Sequence, residues 1–202
     1  MMRRGTVIAL LATALLGSTS ALTAQERFRS KLWLELGGGP GVGRISCSNC
    51  DRVISTAGTS SNFRIGGVLS EKVLVALDNF TFVNRGFSLD EEEGKVVAET
   101  STAALSVLWY PGRSGFYAKG GVGVAYGNFT VDAIDSEPLV ASGVGLGLTS
   151  GIGYDYVLSR RLLITFNAGA LVAAIGDITL RTGRVDDVIA SLYQFTVGLT
   201  VR

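Results

Sequence analysis

From Val144 to Tyr156 the large apolar residues Val144, Leu146, Leu148, Ile152, Tyr154 and Tyr156 occupy even positions, while Gly145, Gly147, Thr149, Gly151, Gly153 and Asp155 fill the odd ones. A period of two is the signature of a β-strand, whose side chains point alternately to opposite faces. The second face here is mostly glycine with a single carboxylate, not the long polar side chains of a strand wetted on one side. Large residues facing an apolar solvent and small ones facing a crowded polar interior is the arrangement of a strand in a narrow transmembrane barrel.

Seven further stretches alternate in the same way. The first runs over Leu32–Val42, with Leu32, Leu34 and Leu36 opposed to Trp33, Glu35 and Gly37. Then come Asn62–Leu69, Val73 to about Val83, a strand ending at Tyr110, Phe116–Asn128, Leu162 to about Val172, and Ile189–Arg202. Gly112-Arg113 is expected to form a two-residue hairpin turn, since glycine can take the positive φ required at the first central position. Ser70–Lys72 and Ser159-Arg160 make the other short turns, and the alternate connections, such as Arg44 to about Ser60, are expected to be long. The pattern predicts an all-β fold, an eight-stranded antiparallel up-and-down transmembrane barrel. Short periplasmic turns and long surface loops then put both termini on the periplasmic side. Outward aromatics should gather at the two membrane interfaces. Trp109, Phe116, Tyr154 and Tyr156 fall at periplasmic strand ends, and Phe63 and Tyr126 near the outer ends.

Composition agrees with the alternation. The chain is 47% hydrophobic with positive mean hydropathy, yet beyond its first residues it has no apolar run long enough for a membrane helix. Twenty-seven glycines and three prolines also argue against long helices. Arg3 and Arg4, the short apolar stretch Val7–Leu16 and the small residues up to Ala24 predict a cleaved secretory signal peptide over residues 1–24, with the barrel over 25–202. Export is therefore expected to the outer membrane, with outer-membrane lipid and lipopolysaccharide as surroundings. Near-neutral charge gives no footprint for nucleic acid.

A signal peptide, eight alternating strands, an inward glycine-rich face and a last strand reading Phe195-Thr-Val-Gly-Leu-Thr-Val-Arg202 together resemble the small outer-membrane β-barrel family, which includes OmpA-like, OmpX-like and OmpW-like barrels. The last strand is similar to the C-terminal signal read by the barrel-assembly machinery, although Arg202 stands where a terminal Phe is usual. The resemblance implies architecture strongly and activity weakly, because function is carried by sites and not by folds.

Few residues invite chemistry. Gly37–Gly43 and Gly145-x-Gly147 superficially look like phosphate-binding turns, but neither leads into the helix such turns require. Cys47 and Cys50 are expected to form a local disulfide in the first surface loop. Two cysteines without a histidine cannot complete a structural zinc site, so no metal or other cofactor is expected. Asp90–Glu93 is read as a solvated acidic loop. Asn79-Phe-Thr81 and Asn128-Phe-Thr130 match the glycosylation triplet by coincidence, since both lie on strands. The resemblance also covers barrel enzymes that use a histidine base; this chain has no histidine, and no other base is singled out.

The remaining charged residues point inward, where an isolated ion is costly. If Ser70–Lys72 is a turn, residues whose numbers sum to 142 face each other, which sets Arg64 opposite Asp78, with Glu35 alongside. Lys119 and Asp155, each a few residues from its turn, are expected to form a second pair. The function expected is that of a non-enzymatic barrel serving envelope integrity or interaction with an unidentified surface ligand. The alternative is a porin-like narrow channel or a conduit for small hydrophobic molecules beside the inward glycines.

Overall fold

The computed structural model describes residues 32–48, 54–88, 95–132, 139–180 and 183–202. Eight strands, β1 (Leu32–Ser46), β2 (Ile54–Ser70), β3 (Val73–Ser88), β4 (Lys95–Trp109), β5 (Phe116–Asp132), β6 (Leu139–Val157), β7 (Leu162–Leu180) and β8 (Gly183–Val201), make one closed antiparallel barrel. Each strand pairs with its sequence neighbours, and β8 closes on β1 with Leu34 opposite Val201. The start of β1 and the end of β8 share one end of the barrel, called proximal here; the other end is distal.

The register fixes the barrel's geometry. Stepping from Leu34 through its partners Ile65, Leu77, Leu105, Val122, Leu148, Val172 and Ser191 returns to β1 at Arg44, ten residues further on. Such an offset over eight strands tilts them by about 40° from the axis. A step to the next strand at constant height therefore departs from the register partner by ten residues over eight strands, or 1.25 residues.

Inward and outward faces follow the alternation in the sequence. Leu146, Leu148, Ile152, Leu199 and Leu36 are all more than half exposed, while Trp33, Arg64, Tyr117, Leu163 and Leu171 are buried. An outward apolar surface on this scale is expected where the solvent is lipid. Inside, the distal half is filled by an apolar cluster that includes Phe80, Phe82, Leu171, Ile175 and Leu192. A second cluster, Trp33, Leu74, Ala76, Leu108, Tyr110 and Tyr117, packs at the proximal end.

Three expectations about the connections are corrected. First, the strands run well past the apolar positions: β1 continues to Ser46 and β2 begins at Ile54, so most of the expected loop from Arg44 to Ser60 is paired strand. Likewise β7 extends to Leu180 and β8 begins at Gly183. On β2, polar and small residues on both faces of Ile54–Ser61 hide the strand from hydrophobic periodicity, but the backbone still gains its ladder of hydrogen bonds. The expected contrast of long distal and short proximal connections is accordingly weak. Second, Gly112-Arg113 is not a two-residue turn. Strand β4 ends at Trp109 and β5 starts at Phe116, and the positive φ of 86° belongs to Gly115. Third, Ser70 and not Leu69 opposes Val73, because a bulge follows Val68; below it the expected register holds, with Val68 opposite Leu74. Phe63 also lies in mid-strand on β2, and Tyr126 well inside β5 (Phe116–Asp132), so neither is at an outer strand end.

Candidate functional site

The charged residues meet in the lumen. Arg64 on β2 lies in register with Glu35 on β1 and Asp78 on β3, so all three side chains leave the wall at one level on the inner face. The Arg64 Nη1 donates to Glu35 Oε2 at 2.9 Å, and Nε lies 3.2 Å from Asp78 Oδ2. Lys119 Nζ donates to the same Asp78 Oδ2 at 2.9 Å. Asn62 Nδ2 donates to Glu35 Oε1 at 2.7 Å. The guanidinium carbon also sits 5.3 Å from the Trp33 ring centre, a cation–π distance. Two cations and two carboxylates thus neutralise one another; Arg64 is 0% and Glu35 1% exposed. At that burial a mutual pairing with further hydrogen bonds is what makes the charges tolerable.

The expected pairing of Lys119 with Asp155 is not formed, and shear is the reason. Lys119 faces Gly151 across the β5–β6 ladder, while Asp155 lies beyond the last pair of that ladder, where its N–H donates to the Gly115 carbonyl at 3.0 Å. In the other direction, two register steps lead from Lys119 through Leu108 to Leu74. The constant-height correction of 1.25 residues per strand then moves the level position on β3 from Leu74 toward Asp78. Lys119 therefore reaches across β4 to a carboxylate two strands away.

Asp155 has its own partners. Tyr110 Oη donates to Oδ2 at 2.9 Å and Thr165 Oγ1 to Oδ1 at 2.9 Å. Thr165 Oγ1 and Thr200 Oγ1 are 2.6 Å apart. Since Thr165 has spent its single hydroxyl proton on Asp155, Thr200 is the donor in that contact. Tyr110 packs against Tyr117 with ring centres 5.3 Å apart. Sequence reasoning missed Asn62, Tyr110, Thr165 and Thr200, because neutral hydrogen-bonding residues on an inward face carry no signal of their own.

The inward glycines do not open a passage. A Cβ on Gly41 would come within 3.1 Å of the Phe82 ring, and one on Gly147 within 2.9 Å of Thr102 Cγ2. One on Gly153 would run into the Tyr117 ring. Gly41 and Gly153 thus make room for aromatic rings projecting from other strands, while at Gly123 and Gly145 the backbone of Ala103 and Ala174 closes the position. The apparent phosphate-binding turn at Gly37–Gly43 is simply part of β1. At the proximal mouth a cavity of about 470 Å³ is lined by Glu71, Lys72, Tyr110, Arg113, Asp155 and Arg202, among others.

The candidate interface aromatics Phe63, Trp109, Phe116, Tyr126, Tyr154 and Tyr156 all face outward, between 40% and 52% exposed. Phe166, Tyr193 and Phe195 join them on the outer face. Cys47 is disulfide-bonded; Cys50 and the acidic run Asp90–Glu93 lie outside the described residues. Among the described residues no group of three or more His, Cys, Asp or Glu side chains converges as a metal site would need.

The closed eight-stranded antiparallel barrel is the fold of the small outer-membrane β-barrels. Among solved structures, the chain is similar to Ail, the attachment invasion locus protein of Yersinia pestis, with a TM-score of 0.59 and 10% identity over 85% of this chain and 99% of that one. It is also similar to Neisserial surface protein A, at a TM-score of 0.54 and 17% identity over 85% of this chain and 97% of the other. No family model matches the chain, and no curated protein matches it in sequence.

Proposed function

We propose that this is a non-enzymatic outer-membrane barrel whose lumen is a structural plug, and that it serves envelope integrity or surface interaction through its wall and distal end. The observation that carries the proposal is the stacking of two seals in one lumen: the neutral Glu35–Arg64–Asp78–Lys119 cluster and, distal to it, the apolar cluster around Phe82 and Leu192. An eight-stranded barrel is just wide enough for side chains to fill, and the positions of the glycines that favour a conduit are closed off, by side chains at Gly121, Gly147 and Gly153 and by the neighbouring backbone at Gly123, Gly145 and Gly151. In this reading residues 1–24 are a removed signal peptide, the proximal end is periplasmic, and the barrel-assembly machinery inserts the chain among lipid and lipopolysaccharide. The disulfide of Cys47 closes on Cys50 and stiffens the first distal connection.

The test is conductance. Refolded protein in a planar bilayer is expected to pass no steady ion current. Discrete openings in the wild type, retained when Phe82 is left intact and the bilayer is free of detergent, would replace the plug with a channel.

A further inference from the structure

The outward apolar positions form a belt of uneven height. Every run starts within about a residue of the proximal end of its strand and is followed to the last apolar outward residue before polar ones take over that face, a lone serine on β6 and on β8 interrupting the run without ending it. On β6 it runs from Tyr156 to Val144, twelve residues apart, interrupted by Ser150; on β7 from Leu162 to Ala174, and on β8 from Val201 to Ile189, interrupted by Ser191, also twelve. On β5 it spans ten residues, Phe116 to Tyr126, and on β1 ten, Leu32 to Val42. On β4 it spans six, Trp109 to Ala103, and on β2 six, Leu69 to Phe63. On β3 it spans four, Val73 to Leu77. The minimum at β3 lies four strands from β7, on the opposite side of the barrel.

At about 2.5 Å of height per tilted residue, the belt is roughly 30 Å tall on β6–β8 and roughly 10 Å on β3. Above the short side the wall presents Thr59, Ser61, Asn79, Thr81 and Ser101. These are level with lipid-type residues elsewhere. From Thr81 the register leads through Ser101 and Tyr126 to Val144, and three constant-height corrections move this to Leu148, which is 62% exposed. One circle around the wall therefore holds Thr81 and Leu148 at the same height.

The proximal edge of the belt is level. The charged residues Glu71, Lys72, Arg113, Arg160 and Arg161 are exposed in the three proximal connections and mark an aqueous boundary on every side. The unevenness belongs to the distal edge alone. Thr81 Oγ1 donates to Asn79 Oδ1 at 3.4 Å, but the remaining hydroxyl and amide capacity of this face, with no water to bond, is unfavourable in hydrocarbon, whereas a bilayer adjusts its thickness to a short apolar wall at modest energy per ångström. The smooth change from strand to strand is that of a continuous surface meeting the wall at a slope. A docked protein would leave a patch with abrupt sides.

We propose that the barrel seats in an inclined and locally thinned bilayer, with the headgroup layer of the distal leaflet drawn down onto β2–β4, where Ser61, Asn79, Thr81 and Ser101 bond to it. The partner of this face is a lipid surface. The inference rests on the membrane-spanning reading above, and the test separates the two.

Thr81→Cys and Leu148→Cys variants, each carrying one nitroxide label, are reconstituted in palmitoyl-oleoyl phosphatidylcholine vesicles; Cys47 is disulfide-bonded and does not take the label. Collision with oxygen and with a water-soluble nickel chelate is read for each. The label at 148 is expected to favour oxygen and that at 81 the nickel chelate, with a several-fold difference in their ratios. Equal, oxygen-dominated ratios overturn the proposal. Shielding of position 81 from both reagents, with dipolar broadening, also overturns it and puts a second copy there. A nickel-dominated label at 148 instead defeats the membrane-spanning reading itself. As a measurement that does not use the labels, the folded fraction is compared in dilauroyl and dioleoyl phosphatidylcholine vesicles. The wild type is expected to fold better in the thinner bilayer, and the combined Ser61→Leu, Asn79→Leu and Ser101→Leu variant to lose that preference. An unchanged preference in the variant counts against the proposal.

Discussion

Of the two carboxylates in the cluster, Asp78 holds the lumen together more than Glu35, because one of its oxygens serves two cations. Glu35 serves a single cation and is also bonded by the neutral Asn62. Removing a carboxylate strands its partner as a buried ion, whose penalty is about 3–5 kcal/mol. Asp78→Ala is expected to lose about that much in urea unfolding from vesicles, and Glu35→Gln less, since Asn62 and Arg64 can both still bond an amide oxygen. Equal losses would show that the two carboxylates are not distinguished by their cations. The pairing of Arg64 with Asp78 was legible in the sequence because the register expected from a short turn at Ser70–Lys72 is the one that the bulge after Val68 restores over most of the two strands. The partner of Lys119 was not, since it depends on the shear of the whole barrel, which no local stretch encodes.

At the level of the strand, alternation reveals β-structure only where the two faces meet different solvents. This is why β6 can be read residue by residue from Val144 to Tyr156, while Ile54–Ser61 on β2 cannot, although both are paired along their length. Glycine placement belongs to this scale as well. Gly153 faces Tyr117 across the β5–β6 ladder and leaves room for its ring. Gly153→Leu overfills that space and is expected to destabilise the barrel by about 1–3 kcal/mol or more. Adding Tyr117→Ala is expected to recover much of the loss, which a double-mutant cycle by urea titration measures. Failure of the second substitution to help would mean that the backbone, and not the ring, is what Gly153 accommodates.

For the molecule as a whole, a closed sheet has no free edge at which detergent can begin to unpair it. The protein is therefore expected to fractionate with the outer membrane and to run faster on SDS gels when unheated than when boiled. Release into a salt-washed periplasmic extract would refute this. The order in which the lumen's charges are joined adds a consequence for assembly. Glu35, Arg64, Asp78 and Lys119 all come from β1 to β5, and the ion pairs link adjacent strands or strands two apart. Asp155 takes its hydroxyls from Tyr110, just past β4, and from Thr165 on β7. None of these three ion pairs crosses the β1–β8 seam, where the first and last strands must find each other after the rest of the chain has been made. The growing sheet can thus neutralise this four-residue cluster while still open, and the final event joins two backbone edges without dragging any of these four ions past the lipid unpaired.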